Sequence, residues 1–382
     1  MKICVVLDML WEEVAGQNEI KQKLRESVSE GRISHAQLFV GKDGSGALGL
    51  AIAYAAEILA QDHGEAALAK VKSLQHPDLH FSYPVATTDA IKEKPTSIQF
   101  LREWREFVLQ NPYGNIFDWL QHLGIEKKQG NINVHEAQEI VRSLSLNSYE
   151  GGYKIMVIWL PELMNNAAAN KLLKIIEEPP RKTVFLLVSE REDLLLPTIT
   201  SRCQLVKINR LSDSEITEYL IQKKGISEKE AKIMAVSANG NLREALSNLA
   251  VGNSEFETYF VQWVRNAFMA AKNPNVLKNL VEWANELSGW SREQQKQFLS
   301  YCSEVFRQAV LQNYQAESLV FMRLDKDGFN WGKFSPYIHG ANIQDILNEI
   351  NESSYHIERN ANAKIVMLDL SIKLTRHLHK KV

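Results

Sequence analysis

Cysteine is scarce in this sequence, and neither sign of charge dominates it. The 382 residues include three cysteines, Cys4, Cys203 and Cys302, which lie far apart along the chain. Three cysteines cannot build a disulfide framework or a four-cysteine zinc module, so we expect a reducing, cytoplasmic compartment. The 44 Lys and Arg residues against 46 Asp and Glu residues leave a formal charge of −2, which excludes bulk attraction to nucleic acid as the mode of action.

Long apolar runs are also missing from the chain. No window approaches the roughly 18 uninterrupted apolar residues of a membrane span, so no membrane role is expected. The apolar run near the start is short and ends at Asp8, and we interpret residues 1–8 as a start-site extension rather than a secretory signal. The length is that of about two or three domains.

Strands alternate with helices through the first half of the chain. Continuous apolar runs predict buried strands at residues 36–40, 153–159 and 183–188. Amphipathic or Ala-rich patterns predict the helices, which cover residues 17–32, 47–60, 97–109, 133–145 and 164–178. This alternation indicates a parallel sheet with helices on both faces.

Four regions follow from the change of pattern along the chain. The α/β domain is assigned to residues 9–207, and residues 83–132 are interpreted as an insertion in it. Short helices predict a small lid at residues 208–252, and the remainder, residues 253–382, is predicted to be all helical. The last predicted helix has an apolar stripe formed by Ile357, Ala361, Ile365, Leu368, Ile372 and Leu378.

A glycine-rich loop follows the first predicted strand and precedes a helix. Gly41, Gly44 and Gly46 have the arrangement of a phosphate-binding loop. In a working loop the last glycine is followed by Lys, which contacts phosphate, and then by Ser or Thr, which ligates Mg²⁺. Ala47 and Leu48 occupy those positions here and offer neither charge nor oxygen. We therefore predict that the loop binds no nucleotide, and no cofactor is expected.

The acidic residues that form the second half of a nucleotide site are also missing. Acidic residues that hold magnesium and polarise water would stand at the end of the strand at 153–159. The chain has Trp159 and Leu160 there, and Glu162 lies too far along to replace them. Lys42, near the start of the glycine loop, is a poor substitute for the missing lysine. ATP hydrolysis by this chain is therefore not expected.

A resemblance to a known family rests on four stretches of sequence. They are residues 16–17 (GQ), 34–39 (SHAQLF), 167–180 (AAANKLLKIIEEPP) and 195–204 (LLPTITSRCQ). The chain resembles the clamp-loader subunits of bacterial DNA polymerase III, within the AAA+ superfamily, over about residues 9–250. Ala47 and Leu48 make it most similar to the ATP-silent delta-prime branch rather than to the hydrolysing gamma/tau branch. The resemblance implies an AAA+ P-loop-type α/β domain, a helical lid and a C-terminal helical collar.

The resemblance also implies a role for Arg202. In the family, the arginine of a Ser-Arg-Cys triplet, here Ser201, Arg202 and Cys203, reaches the γ-phosphate bound by a neighbouring subunit. Such an arginine finger is a permanently charged fork that neutralises charge on the transferred phosphoryl group. The alternative is that Arg202 pairs with a carboxylate at the edge of the domain. Cys203 has no His or acid at a catalytic spacing and is expected to be a buried structural cysteine.

Other positions are interpreted through the same resemblance. Arg243 matches a lid position that contacts phosphate in active relatives, and here it is expected to link the lid to the core. Ser189 and Glu190 stand where a polar sensor would follow the strand and are interpreted as vestigial. The zinc module of many relatives has no cysteines here, so no metal is predicted. Three histidines near that position are expected to be surface residues: His63, His76 and His80.

The function implied by the resemblance is that of a stator subunit in a five-subunit clamp loader. Its implied partners are the gamma/tau and delta subunits, and the sliding clamp and primed DNA through the complex. It would belong to the DNA polymerase III holoenzyme without an activity of its own. Two alternatives remain open. One is a gamma/tau-like ATPase that binds nucleotide through Lys42 and backbone amides, and the other is an ATP-silent scaffold outside replication.

Overall fold

The computed structural model describes residues 10–126, 128–250, 254–320, 322–324 and 328–380. The extension proposed at residues 1–8 lies outside the described residues. The chain forms two compact units, of which the first ends at Leu246 and the second begins at Ser247. Within the described ranges, no helix is both long enough and apolar enough to cross a membrane.

The first unit is built around a parallel sheet. Its strands are β1 (Ala36–Gly41), β2 (Leu79–Ser82), β3 (Lys154–Trp159), β4 (Thr183–Ser189) and β5 (Gln204–Ile208). They pair in the order β2-β3-β4-β1-β5, and every pairing is parallel. The three predicted strands are confirmed, and with them the predicted fold class of a parallel α/β sheet followed by helices.

Helices and short helical turns connect the strands of the first unit. The helices are α1 (Asn18–Ser29), α2 (Ala47–Lys72), α3 (Leu101–Gln110), α4 (Ile116–His122), α5 (Val134–Ser145), α6 (Asn166–Glu177) and α7 (Pro197–Thr200). Three more follow, which we call the lid helices: α8 (Asp213–Lys224), α9 (Glu228–Ala238) and α10 (Leu242–Ala250). The five helices predicted in this half are confirmed, although the one predicted to end at residue 60 continues to Lys72.

Side chains of the central strands alternate between two hydrophobic cores. On β3, Ile155, Val157 and Trp159 belong to a core that also contains α2 and α3. Met156 and Ile158 belong to a second core that contains α5 and α6. Because successive side chains of a strand point to opposite faces, the helices cover both faces of the sheet, as the continuous apolar runs predict.

The predicted insertion, residues 83–132, is part of the domain core. An antiparallel bridge between Val85 and Asn131 closes its base. Its aromatic side chains Trp104 and Trp119 are completely buried, and the Trp104 ring centroid lies 5.1 Å from that of Trp159 on β3. The insertion therefore contributes large apolar side chains to the first core, which anchors it to the sheet.

Four elements of the first unit were not predicted: β2, α4, α7 and β5. Strand β2 has four residues and α4 has seven, so neither is long enough to display a clear period. Strand β5 is an edge strand on which Leu205 and Lys207 are exposed, so it lacks the continuous apolar run of the central strands. Short or half-exposed elements leave little signal in a sequence.

The second unit contains helices and turns, and no strand, in its described residues. Its helices are α11 (Ser254–Ala270), α12 (Leu277–Ser288), α13 (Arg292–Asn313), α14 (Trp331–Phe334), α15 (Ile343–Glu358) and α16 (Ala363–His377). Aromatic rings fill its core, where Trp263 and Trp283 stack with centroids 5.2 Å apart. Large planar side chains thus supply much of the apolar area that this unit buries.

The apolar stripe predicted for the last helix is partly wrong: Ile357 and Leu378 are buried, whereas Ile365 and Ile372 are exposed. The chain breaks at Asn360, where φ is 67°, so α15 and α16 are separate helices. On α16, Ile365 is 66% exposed and Ile372 is 38% exposed. The buried face of α16 carries Met367, Leu370 and Leu374 instead. Because the helix is interrupted there, the spacing of apolar residues on α15 does not continue onto α16. A stripe extended from α15 therefore falls on the exposed face of α16.

Candidate functional site

The glycine loop keeps the backbone shape of a phosphate-binding loop. It joins the carboxyl end of β1 to the amino end of α2, and Gly44 and Gly46 have φ values of 72° and 85°. Glycine adopts this left-handed conformation without strain. Ala47 and Leu48 are buried in the hydrophobic core beneath the loop. The positions that carry Lys and Ser or Thr in a working loop are therefore used for apolar packing.

The space in front of the loop is filled by the chain itself. Residues 112–114 of the insertion lie against the loop, together with Trp159, Leu160 and Glu190. The cavity that remains has a volume of about 30 Å³. Such a cavity can hold a water, whereas ligand pockets measure roughly 300–1,000 Å³. The cavity in front of the loop is therefore much smaller than an ordinary ligand pocket.

Tyr113 is the side chain that closes the loop most directly. A side chain at Gly46 would begin only 3.1 Å from the ring of Tyr113. The Tyr113 hydroxyl accepts a hydrogen bond from the backbone N–H of Ala15 at 2.6 Å. Its ring packs edge-on against Tyr219 of α8, with centroids 5.6 Å apart. Tyr113 thus contacts the loop, the segment before α1 and a lid helix at once.

An ion-pair network joins the loop, the insertion and the lid helices. Arg243 on α10 donates to both carboxylate oxygens of Asp118 on α4, from Nε at 2.5 Å and from Nη2 at 2.8 Å. Its Nη1 lies 3.5 Å from Oδ2 of Asp43 in the glycine loop. The same Oδ2 accepts from Nδ2 of Asn115 and from Nδ2 of Asn241, both at 3.3 Å. The predicted link from Arg243 to the core is confirmed, and its main partner belongs to the insertion.

Two acidic residues, Asp43 and Glu190, line what remains of the cavity. Burial raises the pKa of Asp43, although the nearby charge of Arg243 opposes that rise. Burial and the charges of Asp43 and Glu162 raise the pKa of Glu190 to about 8. Of the described residues that line the cavity, Lys42 alone is basic. Its Nζ lies 3.5 Å from the carbonyl oxygen of Glu190, so the surroundings are unfavourable for phosphate.

The residues interpreted as a vestigial sensor now organise the chain at the end of β4. Ser189 is completely buried, and its Oγ accepts from the backbone N–H of Arg191 at 3.2 Å. Glu162 Oε1 accepts from the backbone N–H groups of Glu190 and Arg191, at 2.8 Å and 3.2 Å. These contacts fix the backbone after β4. The Ser189 hydroxyl and the Glu162 carboxylate therefore bind backbone N–H groups of the chain itself.

Arg202 lies at the opposite end of the sheet from the glycine loop. Strand β5 is parallel to β1, with Gln204 opposite Gln37 and Ile208 opposite Gly41. Gln204 lies four residues before Ile208 on β5, so at a rise of about 3.3 Å per residue it is roughly 13 Å from the level of Gly41. Arg202 lies two residues further back, in the turn before the strand. Arg202 therefore cannot reach the loop of its own chain, and a phosphate that it contacts must belong to another molecule.

The guanidinium of Arg202 is paired at the surface of the first unit. Nε and Nη2 each lie 2.9 Å from Oε2 of Glu177, and Nη1 donates to the carbonyl of Thr198 at 2.8 Å. The Arg202 side chain is 30% exposed and that of Glu177 is 54% exposed. In the chain on its own, Arg202 therefore pairs with a carboxylate at the edge of the domain, which is the alternative given for it above. Exposed pairs contribute at most about 1 kcal/mol, so a stronger anion can compete for Arg202.

The other residues of the triplet stand between α7 and β5. The hydroxyl of Ser201 donates to the carbonyl of Thr198 at 3.3 Å. Cys203 is half-buried and packs against the second core, so it is a structural cysteine that is less buried than predicted. Burial raises the pKa of the Cys203 thiol to about 11, which keeps it protonated near neutral pH. A nucleophilic role is therefore disfavoured on physical grounds.

One of the three histidines expected at the surface is buried. His76 Nδ1 accepts from the backbone N–H of Asp78 at 3.1 Å, and Nε2 lies 3.2 Å from Oε2 of Glu150. His80 is half-buried, and burial lowers its pKa. The side chain of His63 lies outside the described residues. In the parts of the chain that the structure describes, no three His, Cys, Asp or Glu side chains could hold a metal ion together.

The family of the chain follows from comparison with known proteins. Residues 16–212, which include both the glycine loop and Arg202, match the family described as DNA polymerase III, delta subunit. The chain belongs to this family. The delta' subunit of DNA polymerase III from Bacillus subtilis (strain 168) is 29% identical over 243 residues, which are 62% of this chain and 60% of that protein. The delta' subunit from Yersinia pestis is 44% identical over 92 residues, 24% of this chain and 26% of that protein.

The resemblance to the delta-prime branch of the family is thereby confirmed. The chain spans about 60% of the length of the Bacillus relative and less of the Yersinia one. A solved structure of a DNA polymerase III gamma subunit-related protein from Thermotoga maritima covers 94% of this chain and 99% of its own. Its identity is 13% and its TM-score 0.47, a likeness too distant to support a functional argument.

Proposed function

We propose that this chain is a clamp-loader subunit of DNA polymerase III that neither binds nor hydrolyses ATP. In this proposal it supplies Arg202 to the ATP site of a neighbouring gamma/tau subunit. Family membership and one observation support it: the chain's own residues occupy the glycine-loop site, whereas Arg202 lies at the opposite end of the sheet. A polymerase or ATPase activity would belong to the holoenzyme and not to this chain.

The proposed action of Arg202 is electrostatic. Its planar guanidinium would leave Glu177 and donate to phosphate oxygens of ATP that the neighbouring subunit holds. Negative charge on those oxygens is stabilised by an arginine during phosphoryl transfer. The half-exposed position of Glu177 favours this exchange, because a surface ion pair costs little to break.

The proposed partners are the gamma/tau and delta subunits, with the sliding clamp and primed DNA bound by the assembled complex in the cytoplasm. The second unit offers an apolar surface for such assembly. Ile365 and Ile372 lie seven residues apart on α16 and are therefore on one face of the helix. Both are exposed, which favours burial against another subunit.

The decisive experiment substitutes Arg202 in a reconstituted complex of this chain with gamma/tau and delta. Arg202→Ala is expected to reduce the ATPase rate and clamp loading by at least about tenfold while leaving assembly intact, because loss of a finger costs roughly 10³–10⁵ in well-studied cases. Arg191→Ala is the matched control, since it removes another exposed arginine that pairs with Asp193. Unchanged ATPase and loading in Arg202→Ala would contradict the finger and favour a scaffold role.

A second measurement tests whether the chain binds nucleotide itself. Titration with a fluorescent ATP analogue and Mg²⁺ is expected to show no saturable binding, because the cavity of about 30 Å³ is too small. Saturation at micromolar concentration would support the gamma/tau-like alternative. In that case Lys42→Ala should abolish the binding.

A further inference from the structure

We propose that residues 112–118 form a built-in brace that takes the place of a bound ligand and holds the lid helices on the α/β sheet in one orientation. This inference concerns the insertion and does not depend on the role of Arg202.

The brace bridges three parts of the first unit through two side chains. Tyr113 packs against the glycine loop and against Tyr219 of α8, and its hydroxyl is bound by Ala15. Asp118 binds the lid residue Arg243 through both carboxylate oxygens. Contacts of this kind fix distance and angle together, because a fork-to-fork ion pair has little rotational freedom.

The charge balance shows why the lid depends on the brace. The Arg243 side chain is 5% exposed and the Asp118 side chain is 25% exposed. Removing the Asp118 carboxylate would take away the contacts at 2.5 Å and 2.8 Å, whereas the ion pair with Asp43 is longer, at 3.5 Å. Leaving a buried charge poorly compensated is strongly destabilising, so the lid position is coupled to the Asp118 carboxylate.

The carboxylate of Asp118 is also held by contacts within the insertion itself. Asn115 caps α4 by accepting from the N–H groups of Phe117 and Asp118, and Asp118 Oδ2 accepts from the Asn115 N–H at 3.1 Å. This reciprocal capping box sets the carboxylate beside the loop. A glycine loop at a helix N-terminus is ordinarily a site for a bound anion. Here the Asp118 and Asp43 carboxylates provide the negative charge for Arg243, so no bound anion is needed.

Hydrogen exchange of the full chain tests the brace. In Asp118→Asn, amides of α8 and α9 are expected to exchange at least about tenfold faster than in the wild type, since local opening no longer breaks a charged pair. Saturating Mg²⁺–ATP is expected to leave exchange in the wild-type lid helices unchanged. Glu106→Gln is the matched control, because it removes an exposed ion pair with Arg102 in the same insertion. Its lid helices should exchange at the wild-type rate.

Two further variants keep the test decisive if Asp118→Asn fails to fold. Arg243→Lys keeps the positive charge but loses the fork, so it should also accelerate exchange in the lid helices. Asp118→Glu keeps the carboxylate and should exchange more slowly than Asp118→Asn. The proposal is overturned if Asp118→Asn and Arg243→Lys both exchange at the wild-type rate, or if Mg²⁺–ATP slows exchange in the wild-type lid helices.

Discussion

The carboxyl group of Glu190 lies near two other acids, Asp43 and Glu162, at the closed glycine loop. Burial and these neighbours raise its pKa to about 8, from the ordinary glutamate value of 4.5. A raised carboxyl pKa means that the folded state binds a proton that the unfolded state has released. The contribution of Glu190 to stability is therefore present below about pH 4.5 and is lost as the pH rises towards about 8.

Glu190→Gln is expected to remove this dependence on pH. The free energy of unfolding of the variant, relative to wild type, should increase by roughly 2 kcal/mol between about pH 5 and about pH 8, because only the wild type must ionise a buried carboxyl over this range. The difference is kept to this size because Asp43 and Glu162 share the repulsion with Glu190. Urea denaturation at three pH values measures the difference. Glu192→Gln, a change at a partly exposed acid nearby, is the control. Parallel pH profiles for Glu190→Gln and wild type would show that Glu190 is not buried among acids in solution.

At the same scale, the sequence predicts what the loop lacks but not what replaces it. The loss of phosphate chemistry depends on the identity of two residues, Ala47 and Leu48, and can be recognised without a structure. The contacts that fill the site depend on the fold, because Asp118 and Arg243 are 125 residues apart. One local signal was available, since Asn115 and Asp118 have the spacing of a helix cap.

Among the elements, the insertion between β2 and α5 depends most on tertiary packing. Its helix α4 is short, and Trp119 anchors it through full burial and a hydrogen bond from its indole N–H to the carbonyl of Pro84 at 2.8 Å. A helix of this length has little stability of its own. The burial of its aromatic side chain therefore decides whether α4 forms and carries Asp118 to the loop.

Trp119→Ala is expected to reduce the free energy of unfolding of the first unit by about 3–5 kcal/mol, as large-to-small changes in a packed core do. Ile98→Ala, in the same insertion, is the control because that side chain is 64% exposed. Its cost should stay within about 0.5 kcal/mol. Thermal denaturation monitored by circular dichroism distinguishes them, and equal effects would show that the insertion is not part of the core.

Element prediction succeeded where burial is simple and failed where it is partial. The strands β1, β3 and β4 are buried on both faces, and their apolar runs identified them. Edge strand β5 and helix α16 each present one exposed face. Ile365 and Ile372 on α16 are apolar but exposed, so the apolar pattern predicted the wrong face of this helix as the buried one. A prediction that treats every apolar side chain as buried assigns exposed apolar side chains to the core by mistake.

At the scale of the whole molecule, the chain combines a closed first unit with exposed features suited to a larger assembly. Arg202 and strand β5 are displayed at one edge of the sheet, and α16 displays Ile365 and Ile372. Monomeric proteins seldom keep such residues exposed in clusters without a use for them. The exposed face of α16 is therefore the feature for which a change should affect assembly and not folding.

The double variant Ile365→Asp with Ile372→Asp tests that expectation. Charges placed where a partner would bury apolar area should weaken recovery of this chain in a complex with gamma/tau and delta by at least about tenfold. The unfolding temperature of the isolated chain should change little, because both side chains are exposed. Lys364→Asp, on another face of α16, is the control and should assemble normally. Size-exclusion chromatography of the mixed subunits measures the outcome, and normal assembly of the double variant would exclude this face from the interface.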